Sequence, residues 1–262
     1  MDKFLKAYKG LEILKVFSIK HWTNKTFSFS CFRPKNFRFR SGEFVMIGLE
    51  NNEKPLLRAY SIASPSWGEE LEFYSIKVED GPLTSRLQNL QEGDEIFLRP
   101  KPVGTLVLDA LLPGRRLILF STGTGIAPFA SVIRDPETYE KFDEIILTHT
   151  CRYNQELDYG RSILKGIKDD EILQSFVDGK LMLISTSTRE RSKNEGRITQ
   201  WLKEGRFERE TGQPFSCETD RVMICGSLEM LSEHKSFCEK LGMIEGANSK
   251  PGHFVIEKAF VD

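Results

Sequence analysis

Between residues 10 and 100 apolar and polar side chains alternate in short runs separated by turn residues. The alternation is plain in Thr26-Phe27-Ser28-Phe29-Ser30, in Phe37-Arg38-Phe39-Arg40 and from Leu71 to Val78. A period of two places one face of each run against a core and the other outward. Short strands at this spacing predict an antiparallel β-barrel. One short helix is expected near Thr84–Leu90, after the breaker Gly81-Pro82. Past Pro113-Gly114 the pattern changes. Arg116–Phe120 is a compact apolar strand, followed by a glycine-rich turn and a helical stretch around Phe129–Arg134. Further buried strands are predicted at Glu144–Leu147, Leu181–Ser185 and Arg221–Cys225, with helical patterns between them. Strands alternating with helices imply a parallel sheet covered on both faces. The boundary falls near residues 101–115, at Lys101-Pro102 and Leu112-Pro113-Gly114. We therefore expect a first domain over 1–103, a linker over 104–115 and a second domain over 116–262.

A chain of 262 residues is long enough for two such domains. Hydrophobic residues make up 39% and charged residues 29%, which excludes disorder and low complexity. No apolar run approaches the roughly 18 residues of a membrane span, and the segment Met1 to Lys9 lacks the apolar core of a secretory signal. A cytoplasmic, membrane-free protein is expected, and nothing in the sequence demands more than a monomer. The five cysteines are scattered without a C-x-x-C pair, so neither a disulfide framework, a metal site nor an iron–sulfur cluster is expected.

The net charge of −1 hides an asymmetry: residues 1–116 hold 18 Lys/Arg against 14 Asp/Glu, and residues 117–262 hold 19 against 24. Ten basic and two acidic side chains lie within residues 1–40. They form either a solvated face or a field that steers an anionic partner. No nucleic-acid-binding motif is evident, and nucleic acid is not expected as that partner.

The segment Ser121-Thr122-Gly123-Thr124-Gly125-Ile126-Ala127-Pro128 joins a buried strand to a helix. Glycines there allow close backbone approach to a diphosphate, or serve packing alone. No Gly-Lys-Ser/Thr follows, which disfavours nucleoside triphosphate hydrolysis. Where an NAD site would carry an acidic residue after the second strand, this chain has Cys151-Arg152, and Thr188-Arg189 and Arg197 follow. Guanidinium groups suit a 2′-phosphate and hence NADP, unless Arg189 and Arg197 are merely parts of a charged loop. In the first domain Arg58-Ala59-Tyr60-Ser61 brings together a cation, a flat ring and a hydroxyl, the tools for a diphosphate and a planar ligand; an ordinary amphipathic strand is the alternative. Gly81-Pro82-Leu83-Thr84-Ser85 adds a second phosphate-sized turn, so two nucleotides are implied.

These segments, taken in order with Cys225-Gly226-Ser227 and the tail Phe254 to Asp262, resemble the bacterial type of ferredoxin-NADP reductase, also called flavodoxin reductase. The resemblance spans nearly the whole chain. It implies a six-stranded antiparallel barrel carrying FAD and a five-stranded parallel domain carrying NADP(H). By resemblance Arg58 faces the FAD diphosphate, Tyr60 packs on the isoalloxazine beside Ala59, and Ser61 bonds near N5. Ile76, Lys77 and Val78 would line the flavin, Leu83, Thr84 and Ser85 the diphosphate, and Thr124 would lie close by. NADP(H) would be held by Cys151, Arg152, Thr188, Arg189, Arg197, Gly226, Ser227 and Leu228. Ala259 would stand where plant-type enzymes carry a tyrosine, and Phe260 would stack on the adenine of FAD. Ser61, Cys225 and Glu257 would be the catalytic groups of hydride transfer to flavin N5, followed by one-electron steps to a carrier. The implied partner is an acidic ferredoxin or flavodoxin. Two other functions remain open here: the reductase component of an oxygenase, and a non-catalytic NADPH-sensing flavoprotein.

Overall fold

The computed structural model describes residues 8–191 and 193–258. Its first half contains β1 (Glu12–His21), β2 (Thr26–Phe32), β3 (Phe44–Asn51), β4 (Lys54–Ser61), β5 (Glu70–Ile76) and β6 (Glu95–Val103). These strands form one antiparallel sheet in the order β4-β3-β6-β1-β2-β5. The chain leaving β4 turns back onto the far edge, Ala63 N–H donating to Glu72 O at 2.8 Å, which rolls the sheet towards closure. Inside it, Phe27, Phe29, Val45, Ile47, Phe73 and Leu98 are all buried, as the period-two pattern requires. The serine face of β2 is covered as well: Trp22 Nε1–H donates to Ser28 Oγ at 3.0 Å.

The segment Phe37–Arg40 is not the strand its alternation predicts. Phe37 and Phe39 do turn into the core, while Arg38 and Arg40 stay outside. The backbone lies beside no ladder and is held locally instead. Phe37 N–H donates to Pro34 O (2.9 Å), Arg33 Nε to Phe37 O (3.0 Å) and Arg40 N–H to Glu43 Oε2 (2.8 Å). Burial alternation was read correctly there, but a strand also needs a partner for its hydrogen bonds.

The second half contains β7 (Arg116–Thr122), β8 (Glu144–Cys151), β9 (Leu181–Ser187), β10 (Asp220–Gly226) and β11 (Phe254–Lys258). They form a parallel sheet in the order β11-β10-β7-β8-β9. Its central strands are apolar on both faces, with Leu117 and Leu119 in one core and Ile118 and Phe120 in another. Helices on each side make that continuous hydrophobicity necessary. The first of them runs over Ala127–Val132, two residues earlier than expected, because Pro128 occupies its first turn, where a missing N–H costs nothing. Among the described residues no helix is long and apolar enough to cross a membrane.

The two halves meet along a polar and aromatic seam. Arg134 Nη2 donates to Glu72 Oε2 (2.8 Å), Tyr159 Oη–H to Glu72 Oε1 (3.0 Å), Ser131 Oγ–H to Ser64 O (2.7 Å) and Trp67 Nε1–H to Arg134 O (2.9 Å). Residues 104–115 join the halves, and Leu106, Val107, Ala110 and Leu111 pack into the core of the parallel-sheet half.

Candidate active site

The carboxyl ends of β7 and β8 and the residue after β10 border, with the end of β5 and the segment that follows it, a cleft of about 1040 Å³. That position, outside the strand ends of an open parallel sheet, is where α/β domains bind nucleotides. The barrel lines the cleft with Ile76, Lys77 and Val78; the parallel domain contributes Thr122, Gly123 and Thr124, and beyond them Cys151, Arg152, Thr188, Arg189, Arg197 and Ser227.

Two glycines of the turn after β7 do different work. A Cβ on Gly125 would stand 2.3 Å from Cys225 O, so this glycine lets the turn pack onto β10. Gly123 has φ +55° and open space where a side chain would be. It is Gly123, not Gly125, that leaves the backbone approachable. Gly226 repeats the packing role, since a Cβ there would meet Thr122 Oγ1 at 2.2 Å.

The strands β8 and β9 keep pairing past their ends. Thr188 N–H donates to Cys151 O (3.0 Å) and Arg189 N–H to Arg152 O (2.9 Å), which carries Arg152 and Arg189 to the rim side by side. Both are exposed. Arg197 is exposed too, but its guanidinium Nη1 lies 2.8 Å from Glu229 Oε1 and 3.4 Å from Glu233 Oε1. Cys151 turns its thiol inward, 3.2 Å from His149 Nε2, and burial pushes that thiol up to about 12. Ser227 caps the helix Leu228–Lys240, its Oγ accepting from Met230 N–H at 3.4 Å; Leu228 itself is exposed.

On the barrel, Arg58, Tyr60 and Ser61 lie half-buried on β4 and outside the lining of this cleft. Tyr60 Oη is 3.2 Å from Ser75 Oγ, its ring standing edge-on to Phe73. Lys77 Nζ donates to Thr23 O at 2.8 Å. A Cβ on Gly81 would fall 2.1 Å from Thr84 Oγ1, so a side chain there would have to displace the Thr84 hydroxyl at the start of the helix Thr84–Leu87. Leu83 sends its side chain into the barrel core and has only backbone to offer a ligand.

Cys225 and Glu257 are neighbours in register on β10 and β11, and Cys225 also faces Ser121 on β7. Burial first, and Glu257 second, drive the Cys225 thiol well above its usual range. Glu257 Oε1 accepts from Thr105 N–H (2.5 Å) and Thr105 Oγ1–H (3.3 Å). Burial nevertheless raises this carboxyl to about 7. Ala259 and Phe260 lie outside the described residues.

His149 has no role in the sequence reading, yet it is fully buried directly beneath the turn, with Nε2 3.1 Å from Gly123 O. The strand period was the available signal: it sets His149 on the opposite face from Thr148 and Thr150. The cleft is large enough for cofactor-sized ligands. The open backbone at Gly123 and the rim guanidiniums are of the kinds that suit diphosphates and a 2′-phosphate.

Two family descriptions match the chain: "Oxidoreductase FAD-binding domain" over residues 12–107 and "Oxidoreductase NAD-binding domain" over residues 119–235. The chain is 57% identical to the flavodoxin/ferredoxin–NADP reductase of Rhodobacter capsulatus, over 94% of this chain and 92% of that one. This chain belongs to the ferredoxin/flavodoxin–NADP reductase family. The reductase is also 49% identical to the ferredoxin–NADP reductase of Pseudomonas aeruginosa, over 95% and 97% of the two chains. A Neisseria gonorrhoeae ferredoxin NADP+ reductase solved with bound FAD and NADP superposes with a TM-score of 0.87 at 27% identity, covering 97% of this chain and all of that one. The reductase is thus a flavoprotein oxidoreductase that uses FAD and NADP(H).

Proposed function

We propose that the reductase passes electrons between NADP(H) and an acidic ferredoxin or flavodoxin, with FAD on the barrel and the nicotinamide nucleotide in the cleft. The observation that carries this reading is the convergence of Ile76–Val78 from one domain with Gly123, Arg152, Arg189 and Arg197 from the other on a single cleft. The names of the relatives, which pair ferredoxin or flavodoxin with NADP, support the choice of carrier. Bound there, the flavin supplies the exchange between the two-electron chemistry of the nicotinamide and the one-electron chemistry of the carrier.

The chain's own groups orient these partners. Arg58 and the backbone of Leu83, Thr84 and Ser85 hold the FAD diphosphate, Tyr60 and Ala59 flank the ring system, and the Ser61 hydroxyl bonds near N5. The end of β5 and Thr124 close the other side. Arg152 serves the NADP diphosphate, while Arg189, Arg197 and Thr188 take the 2′-phosphate end. Cys151, Gly226, Ser227 and Leu228 border the remaining nucleotide. Cys225 stays a neutral thiol and forms a small, dry floor beside the reacting rings. Glu257, raised to about 7, holds its proton about half the time at neutral pH and so is poised for exchange. The excess of basic side chains in the first forty residues draws an acidic carrier to this end of the chain. Five described cysteines, none of them paired, fit a reducing cytoplasmic location.

An anaerobic NADPH titration of the purified protein tests this reading. The yellow protein should bleach, and denaturation should release FAD. Added salt should slow reduction of the carrier and spare a small dye acceptor. Release of FMN, or a carrier rate indifferent to salt, contradicts it.

A further inference from the structure

His149 is a fully buried group whose polar end reaches the cofactor turn from behind. It stands on β8, turned away from the cleft, and its Nε2 lies 3.1 Å from Gly123 O. A carbonyl only accepts, so Nε2 carries the hydrogen and Nδ1 is bare. Nδ1 is buried without a hydrogen-bond partner, and a Cβ on the facing Gly160 would approach it to 2.9 Å. An aliphatic side chain would leave no such orphan. What the imidazole offers that leucine lacks is therefore the donor at Nε2.

The consequence lies on the other side of the peptide. In a planar trans peptide the carbonyl of Gly123 and the N–H of Thr124 point in opposite directions. A carbonyl drawn inward to His149 turns the Thr124 N–H outward, and Gly123 and Thr124 both line the cleft. The Nε2 contact of His149 at 3.1 Å holds this peptide from the buried side. The same nitrogen lies 3.2 Å from Cys151 Sγ, whose thiol also reaches Glu156 O at 3.7 Å. Glu156 Oε2 accepts from the N–H groups of Arg152 and Tyr153 at 2.9 and 3.0 Å. One buried ring thus ties the turn to the loop that carries Arg152.

We propose that His149 is a positioning residue of the reductase: its Nε2–H holds the Gly123–Thr124 peptide so that the N–H side faces the diphosphate of NADP(H). The inference rests on the proposed function, in which Arg152 serves that diphosphate, and extends it to the glycine turn lining the same cleft. Burial, which lowers the imidazole to about 4, keeps it neutral and its tautomer constant through the working range.

The test is calorimetric binding of NADP+ and of 2′-AMP to the FAD-loaded protein and to H149L and H149Q. The second probe carries the ribose phosphate but no diphosphate bridge. H149L should lose roughly tenfold for NADP+ and less than about twofold for 2′-AMP, the size expected for one buried hydrogen bond. H149Q, which keeps an N–H near the same point, should recover most of the loss. Unchanged NADP+ affinity in H149L, equal losses for both ligands, or no rescue by H149Q overturns the proposal. Should H149L not fold, the 15N spectrum of the native protein decides: a bare Nδ1 with a protonated Nε2 at neutral pH supports the role, and the reverse tautomer or an imidazolium overturns it. Amide shifts of Gly123 and Thr124 on adding NADP+ separate the two layers. If they do not move, the placement of the diphosphate fails; if they move while H149L binds normally, only the role of His149 does.

Discussion

Tyr74 of the barrel and Tyr159 of the parallel-sheet domain lie face to face, their ring centroids 3.9 Å apart and their planes within 6°. Trp22 meets Tyr159 edge-on at 5.3 Å, and the Tyr159 hydroxyl donates to Glu72 on the barrel. Tyr74 also lines the cleft, so the contact that joins the domains borders the site they share. Tyr159→Phe keeps the stacked ring and removes the donor to a carboxylate, and should cost about 2 kcal/mol in urea unfolding. Tyr159→Ala, which opens a cavity in the seam as well, should cost about 4 kcal/mol. Equal losses for the two variants would show that the ring contributes nothing beyond its hydroxyl.

Arg116 and Asp220 form an ion pair that is buried at the amino ends of β7 and β10. Arg116 Nε is 2.8 Å from Asp220 Oδ1 and Nη2 is 2.6 Å from Oδ2, both residues being at most 2% exposed. Asp220→Asn strands a buried guanidinium, so we expect a loss of about 3 to 5 kcal/mol by denaturant titration. Replacing both partners by apolar residues of similar volume should restore much of that loss, since the cost lies in the unpaired charge.

Arg189 and Arg197 should differ as NADP ligands although both reach the rim. Arg197 is already engaged by Glu229 and Glu233 and must leave them to meet a phosphate, whereas Arg189 forms no ion pair with the described residues. Arg189→Ala should therefore weaken NADPH by roughly ten- to a hundredfold, the range of one to two charge-assisted hydrogen bonds. Arg197→Ala should weaken it less. Affinity for NADH should hardly change in either, and parallel losses for both nucleotides in binding assays would remove the 2′-phosphate assignment.

Glu257 gives stability a distinct pH signature. Its carboxyl is raised from 4.5 to about 7, chiefly by burial, so between those values the folded protein holds a proton that the unfolded chain releases. Its contribution is fully present below about 4.5 and is lost as pH rises through about 7. The stability of the native protein relative to Glu257→Gln should fall over that window, with a slope approaching one proton. His149 and His234, lowered to about 4 by burial, act in the opposite sense: their contribution is present above 6.5 and lost as pH falls through about 4. Unfolding curves compared at several pH values separate the two signs, because the histidine contribution cancels between the native protein and Glu257→Gln. A pH-independent difference would mean that Glu257 titrates normally.

The two-domain plan was legible from residue periods, because burial on one face or on both leaves a local signature. Phe27-Ser28-Phe29 announces a one-sided strand, and Leu117–Phe120 announces one covered twice. The turn at Gly123 and the cations at Arg152, Arg189 and Arg197 were visible because each follows a strand that its own neighbours announce. Phe37–Arg40 misled because the alternation reports burial and says nothing about whether a neighbouring strand is there to pair. The glycines of that turn left two roles open, approach to a diphosphate or packing, and Gly125 takes the second: its missing side chain makes room for Cys225 O on a strand a hundred residues away. His149 went unassigned because its partners, Gly123 and Gly160, come from separate segments.

Local sequence thus prescribes the strands, the turns and the chemical types brought to the strand ends, since each depends on residues that are neighbours in the chain. Long-range packing alone settles the rest: that Glu257 lies in register with Cys225, that Arg197 is held by Glu229 while Arg189 is not, and that Tyr74 meets Tyr159. Those facts depend on desolvation and on distances between segments brought together by folding, and such quantities have no counterpart in a linear pattern.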